Sequence, residues 1–139
     1  MQLHPYISFE GRCEEAIEFY QQAIGAQVVS LMRSSDAPPN ACAAAAQGDK
    51  IMHAHLRIGD QEVMMTDGMS TGQAEFKGIT LSLSVESDEQ ARELFSALTA
   101  DGGQVRVEMG KTFFASSFGE GIDKFGVSWI VLAAVPVTV

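Results

Sequence analysis

The second half of the chain repeats the first. Ala16, Phe19 and Tyr20 fall on Ala91, Leu94 and Phe95 at a constant offset of 75 residues, and Gln27-Val28 matches Gln104-Val105 once a couple of residues are inserted. Stacking repeats have periods of roughly 20–50 residues, so a longer one marks duplication of half a domain. Whatever fold the first half specifies, the second must specify too, and 139 residues suit one domain with a sizeable core.

The local patterns say what is duplicated. Leu3, Pro5, Ile7 and Phe9 alternate with His4, Tyr6, Ser8 and Glu10, the two-residue period of a strand that Gly11 ends. From Cys13 to Ile24 the period changes. Ala16, Phe19, Tyr20, Ala23 and Ile24 form one helical stripe, with Glu14, Glu15 and Glu18 in the early turns and Gly25 as the stop. A strand over Gln27 to Met32 follows. Residues 34–49 carry Pro38, Pro39 and a run of alanines, which predicts a long exposed loop; a lid over a binding site is the sharper reading. Ile51 to Ile58 alternates again, Gly59-Asp60 signals a hairpin, and Gln61 to Thr66 returns. A glycine-bearing linker over 67–78 leads to Thr80–Val85, then to a helix capped by Ser87 or Asp88 with the stripe Ala91, Leu94, Phe95 and Leu98. Gly102-Gly103 ends it, and Gln104 to Glu108 is extended. The last two strands are expected at Phe114–Phe118 and Val127–Leu132, joined across Gly119–Gly126.

The fold class is therefore α+β, with tandem βαβββ modules at about residues 1–68 and 78–139. Each helix must bury its apolar stripe against its own sheet. The other faces of the sheets are then free to form a cupped mixed sheet around a central cleft, a common place for a small molecule.

Composition removes several functions. Net charge is −9, with 18 acidic residues against 9 Lys and Arg, and no basic stripe interleaves with aromatics, so neither nucleic acid nor an anionic membrane is an expected partner. No apolar run approaches the roughly 20 residues of a membrane span. The start lacks the basic and apolar regions of a signal peptide, which predicts a cytoplasmic location. Cys13 and Cys42 are expected as reduced thiols.

Candidate ligand-binding residues are those with polar or planar side chains on the expected cleft walls. His53 and His55, two apart on one strand, share a face. They fit solvated strand histidines, polar groups of the cup, or a pair chelating one ion; a working metal site usually has three protein ligands. Phe113, Phe114 and Trp129 can wall a planar ligand or pack in the core. Asp67 ends a strand and either faces the cleft or organises a turn, and Asp123 with Gly126 reads as a tight turn. Ser82, Ser84, Ser116 and Ser117 are polar strand positions. No Ser or Cys has an identifiable base and orienting acid, so a nucleophilic hydrolase has no support, and catalytic residues are not assigned.

Longer motifs add a resemblance. Pro5-Tyr6-Ile7-Ser8-Phe9-Glu10-Gly11-Arg12-Cys13-Glu14-Glu15-Ala16 with Phe19-Tyr20 resembles the opening of PhnB-like proteins, a branch of the vicinal-oxygen-chelate superfamily that includes glyoxalase I, ring-cleaving dioxygenases and bleomycin-resistance proteins. Asp49-Lys50-Ile51-Met52-His53-Ala54, Met64-Met65-Thr66-Asp67, Thr112-Phe113-Phe114-Ala115 and Asp123-Lys124-Phe125-Gly126-Val127-Ser128-Trp129 agree in order and spacing. The second aromatic of the Thr-Phe-Phe motif departs from its relatives, which usually carry Trp.

The resemblance implies paired βαβββ modules and commonly a homodimer. Relatives are often labelled 3-demethylubiquinone methyltransferases, but no glycine-rich strand-to-helix turn suited to S-adenosylmethionine occurs here. Superfamily enzymes bind a divalent ion with His, Glu or Gln from both modules. Matching landmarks puts Pro5 and Thr80 at two ligand positions and the others near Met65 and Ile130, with His4 one residue off. The usual metal site is thus expected to be absent and no cofactor is required, although a divalent metal is possible. The expectation is a small-molecule-binding protein that acts by sequestration. The alternative is a metal-dependent glyoxalase-type lyase or isomerase using a non-standard site near His53 and His55.

Overall fold

The computed structural model of the chain describes residues 1–36 and 49–134. The chain divides into two compact units, Met1–Ala74 and Glu75–Val139. Cys42 and most of the segment expected as a long loop or lid lie outside the described residues. The first unit contains β1 (Tyr6–Ser8), α1 (Cys13–Ile24), β2 (Gln27–Arg33), a 3-10 turn at Ser34–Asp36, β3 (Ile51–Ile58) and β4 (Gln61–Thr66). The second contains β5 (Thr80–Val85), α2 (Asp88–Thr99), β6 (Gln104–Gly110), β7 (Ser117–Ile122) and β8 (Ser128–Ala133). The expected βαβββ pattern therefore occurs twice.

The sheets have the same topology. Strand order is β1-β4-β3-β2 in one and β5-β8-β7-β6 in the other. In each, the first and last strands pair in parallel and the remaining pairs are antiparallel. Each helix connects the two edge strands of its own sheet, the crossover that a split βαβ connection requires.

The helices form where the periodicity placed them. α1 buries Cys13, Ala16, Ile17 and Tyr20, and Gly25 closes it in the left-handed conformation (φ 70°) with its N–H on the Tyr20 carbonyl. Beneath it lie Ala54 and Leu56 of β3 and Val63 and Met65 of β4, all buried, and the Phe9 ring stands 6.1 Å from that of Tyr20. Full burial of each large apolar side chain contributes about 1.5–3 kcal/mol. In the second unit Ala91, Phe95 and Leu98 of α2 are buried, as are Trp129, Val131 and Ala133 of β8. Ser87 accepts the Gln90 N–H as the N-cap.

One strand lies elsewhere than its sequence suggests. β7 was expected over Phe114–Phe118 with a glycine-rich connection after it, but it runs from Ser117 to Ile122, straight through Gly119 and Gly121. These glycines serve packing. A Cβ at Gly121 would meet Thr99 Cγ2 of α2 at 2.6 Å and the Gln104 carbonyl oxygen at 2.8 Å, and one at Gly119 would stand 3.1 Å from the Phe95 ring. The helix rests on bare backbone here. Asp123–Gly126 alone makes the turn into β8, with Gly126 N–H on the Asp123 carbonyl.

Arg33 fastens the two described ends around residues 37–48. Its guanidinium pairs with Glu14 and donates to the Asp49 carbonyl at 2.8 Å, while its backbone N–H donates to Asp36. Among the described residues no helix is long and apolar enough to cross a membrane.

Candidate functional site

Strand pairing sorts the side chains of the first sheet into two faces. Residues directly opposite share a face, so Ile7, Met65 and Ala54 lie on the side of α1, whereas Tyr6, Met64 and His55 point away from it. Ser8 and Thr66 pair in the next row on that second face, His53 stands beside Tyr6, and Glu62 and Arg57 form the row before. The protein has three histidines. All three occupy this face.

Their partners differ. The Tyr6 hydroxyl lies 3.3 Å from His53 Nδ1, with the rings tilted and 5.6 Å apart. His55 Nε2 is 3.2 Å from Glu62 Oε1, and His4 Nε2 is 3.6 Å from Glu62 Oε2. The His55 approach is not a hydrogen bond, because that buried nitrogen has no aligned partner in the structure. Glu62 also faces Arg57 across the β3–β4 ladder. One carboxylate is thus flanked by two imidazoles and a guanidinium-bearing neighbour, with a phenol–imidazole pair farther along the face.

Asp67 is committed to the scaffold. It is 2% exposed, its Oδ1 accepts the Cys13 N–H at 2.8 Å, and its Oδ2 accepts the Ile51 N–H at 2.6 Å. Arg12, in the N-cap position, makes no side-chain cap, so a carboxylate from 54 residues downstream holds the first amide of α1. The Cys13 thiol beside it is pushed up to about 12 by burial, then by the negative charges of Asp67 and Glu14. At neutral pH it is an inert core thiol.

The second sheet sorts in the same way. Leu81, Trp129 and Gly121 share the α2 side, and Ser82, Ile130 and Glu120 form a row on the other. Trp129 is buried at 3% exposure and donates its indole N–H to Asp123 Oδ2 at 2.8 Å; Asp123 Oδ1 accepts the Phe125 and Val127 N–H groups. Ser116 and Ser117 both donate to Asp88 Oδ1 at 2.6 Å, tying the start of β7 to the start of α2 and holding the Asp88 carboxyl below its ordinary value. Phe113 and Phe114 lie in the turn before β7, held by Phe114 and Ala115 N–H groups on the Thr112 hydroxyl. Phe113 is fully exposed, and an edge-on series of rings links it through Phe114 to Phe118, on the face away from α2.

Of the sequence candidates, the structure brings His53 and His55 onto one face of the first sheet. In the second unit it sets Ser82 on the face away from α2, with Phe114 against Phe118 of that face. Asp67, Ser116 and Trp129 bind backbone and side chains of the fold itself. Sequence reasoning passed over Tyr6 and Glu62, took His4 only as one residue off a ligand position, and did not count Arg57 of β3 among the candidates. Alternation along β1 and β4 carried a signal for Tyr6 and Glu62, but only the β1–β4 and β3–β4 registers show that their polar sides meet those of β3.

The positions expected for the superfamily's ion carry Pro5, Thr80, Met65 and Ile130, with His4 one residue from the first. These side chains do not fit the superfamily's usual ion. No three His, Cys, Asp or Glu side chains form a ready metal cage among the described residues. S-adenosylmethionine fits no better. The turns into both helices lack a glycine-rich phosphate-type loop, both first turns are acidic, and Asp67 occupies the start of α1.

Residues 1–132 match the family model described as 3-demethylubiquinone-9 3-methyltransferase. Protein YjdN of Escherichia coli K12 is 35% identical over 94% of each chain. A crystal structure of protein PA1353 from Pseudomonas aeruginosa is similar with a TM-score of 0.83 and 37% identity, covering 98% of this chain and 99% of that one. A PhnB protein from Bacillus cereus, described as a putative 3-demethylubiquinone-9 3-methyltransferase, gives 0.77 and 27%, covering 96% and 100%. At the level of fold alone, a glyoxalase/bleomycin resistance protein from Albidiferax ferrireducens gives 0.60 at 20% identity over 94% and 95%.

Proposed function

Because the chain belongs to the PhnB-like family described as 3-demethylubiquinone-9 3-methyltransferase, with the glyoxalase/bleomycin-resistance fold, we propose that it is a small-molecule-binding protein that acts by sequestration. The observation that carries this reading is the face of the first sheet turned away from α1. His4, Tyr6, His53, His55, Arg57 and Glu62 gather there as hydrogen-bonding groups on rigid strands. A few placed polar groups on a scaffold are what a small-molecule site requires. The methyl-transfer activity in the family description is not part of the proposal, since among the described residues neither helix start carries the glycine-rich turn that suits that donor.

The test is a thermal-shift and native mass-spectrometry screen of the full chain against a library of small polar and aromatic metabolites. A ligand at 100 times its Kd stabilises by about 2.7 kcal/mol, a readily measured shift. Hits should weaken on Tyr6→Phe and His53→Ala but not on Ser116→Ala. A library without hits, or hits indifferent to the first two substitutions, overturns the reading.

The alternative, a metal-dependent lyase or isomerase working from His53 and His55, is favoured by one observation: Glu62 adds a carboxylate beside His55. A homodimer remains part of the proposal. It is supported by exposed apolar side chains on one edge strand of each sheet, Val28, Val29, Leu31 and Met32 on β2 and Val105 and Val107 on β6, and light scattering reads it directly.

A further inference from the structure

We propose that the face of the second sheet turned away from α2 binds a small quaternary ammonium ion, held by the Glu120 carboxylate and the Phe118 and Phe114 rings. The site lies within the second unit and goes beyond the groups gathered on the first sheet.

The pairing registers give that face row by row. Ser82, Ile130, Glu120 and Val107 lie across one row, with Ile122 in the row on one side and Phe118 in the row on the other. Glu120 is therefore bordered across the strands by Ile130 and Val107, and along its own strand by Ile122 and Phe118. It is half-buried. Among the described residues its carboxylate takes part in no ion pair or hydrogen bond. Arg106, the extra residue of the bulge between Val105 and Val107, is exposed and is not paired with it. A carboxylate set among apolar side chains gives up part of its hydration without gaining a partner. A bound cation supplies that partner.

The surroundings decide which cation. A primary ammonium brings three N–H donors, and the side chains bordering Glu120 accept none of them. A fully methylated ammonium has no donor to satisfy. Its methyl groups bury against Ile122 and Ile130, while its charge is drawn to the carboxylate and to aromatic faces. Phe118 provides a ring in the adjoining row. Phe114 stands edge-on to it at 5.5 Å and is 53% exposed, so these rings border an open site instead of closing into the core. The net charge of −9 raises the local concentration of cations.

The experiment titrates choline into the full chain by calorimetry and saturation-transfer NMR, against ethanolamine and against the uncharged tert-butyl analogue of choline. Choline should bind with a Kd of about 1 mM or below, and both comparison compounds about 10-fold more weakly, an ordering that needs no variant to fold. Glu120→Gln should weaken choline by about 10-fold or more and Phe118→Leu by about 3–10-fold. Glu108→Gln, which removes the same charge from an exposed position on β6, should change it by less than about 2-fold. No binding at about 10 mM choline, equal binding of either comparison compound, or a Glu120→Gln variant that binds as tightly as wild type overturns the proposal. Ligands of the first sheet answer to Tyr6 and His53 and choline answers to Glu120, so either reading can fail alone.

Discussion

Replacing Asp67 asks whether a buried carboxylate belongs to the scaffold or to a binding surface. Its two oxygens take the N–H groups of Cys13 and Ile51, at 2.8 and 2.6 Å, and the residue is 2% exposed. Asp67→Ala strands two buried donors at about 1–3 kcal/mol each, plus up to about 1 kcal/mol of lost interaction with the α1 dipole, for a total of roughly 2–7 kcal/mol. Asp67→Asn keeps one acceptor and turns an amide donor toward the other N–H, costing about 1–3 kcal/mol. Domains of this size hold about 5–15 kcal/mol in all, so the alanine variant stands near the edge of folding. With a urea m-value of about 2 kcal/mol/M, the asparagine variant should lose about 1 M in midpoint by far-UV circular dichroism, at unchanged slope. The alanine variant should lose about 2 M or fail to fold. An Asp67→Asn midpoint within about 0.2 M of wild type would refute the reasoning and return Asp67 to the binding surface.

Three further outcomes are expected. In a Cys42→Ser background Cys13 should resist a thiol reagent in the folded protein and react at once in urea; because its folded value is raised to about 12, stability should hold below the ordinary thiol range and fall as pH rises through it, a slope that Cys13→Ala removes. Gly121→Ala should cost about 1–3 kcal/mol, lowering the thermal midpoint by about 3–10 °C, and Thr99→Ser should restore only part, since the Gln104 carbonyl still faces the new methyl. Asp88 is held below its ordinary value by Ser116 and Ser117, with Arg92 adding to the effect. Its support is therefore full above the ordinary carboxylate range and lost as pH falls through the lowered value, so the difference in thermal midpoint between wild type and Asp88→Asn should be constant above that range and close as pH falls below it.

Duplication and periodicity revealed most of the elements; α1 ends at Gly25 and α2 begins after Ser87 as the sequence suggested, while α2 stops at Thr99, ahead of the expected Gly102-Gly103. What stayed hidden depends on neighbours distant in sequence. Gly119 and Gly121 look like loop residues until Phe95 and Thr99 are seen above them. Asp67 looks like a turn residue because nothing local shows that Cys13, 54 positions earlier, lacks a cap. His53 and His55 could be paired by counting along one strand. Their contacts with Tyr6, Glu62 and His4 could not, since a one-residue slip in the β1–β4 register would have turned those groups to the opposite side.

On the helix side of its sheet the first unit carries Ala54 and Leu56 of β3, where the second carries Gly119 and Gly121 of β7. One helix therefore lies over side chains while its counterpart lies directly on peptide backbone, and the halves have ceased to be interchangeable parts. A hybrid carrying two copies of the amino-terminal half would keep the topology of both sheets yet lose the close seat on which α2 depends. Symmetry here survives in the wiring of the strands, and individuality resides in how near each helix comes to its sheet.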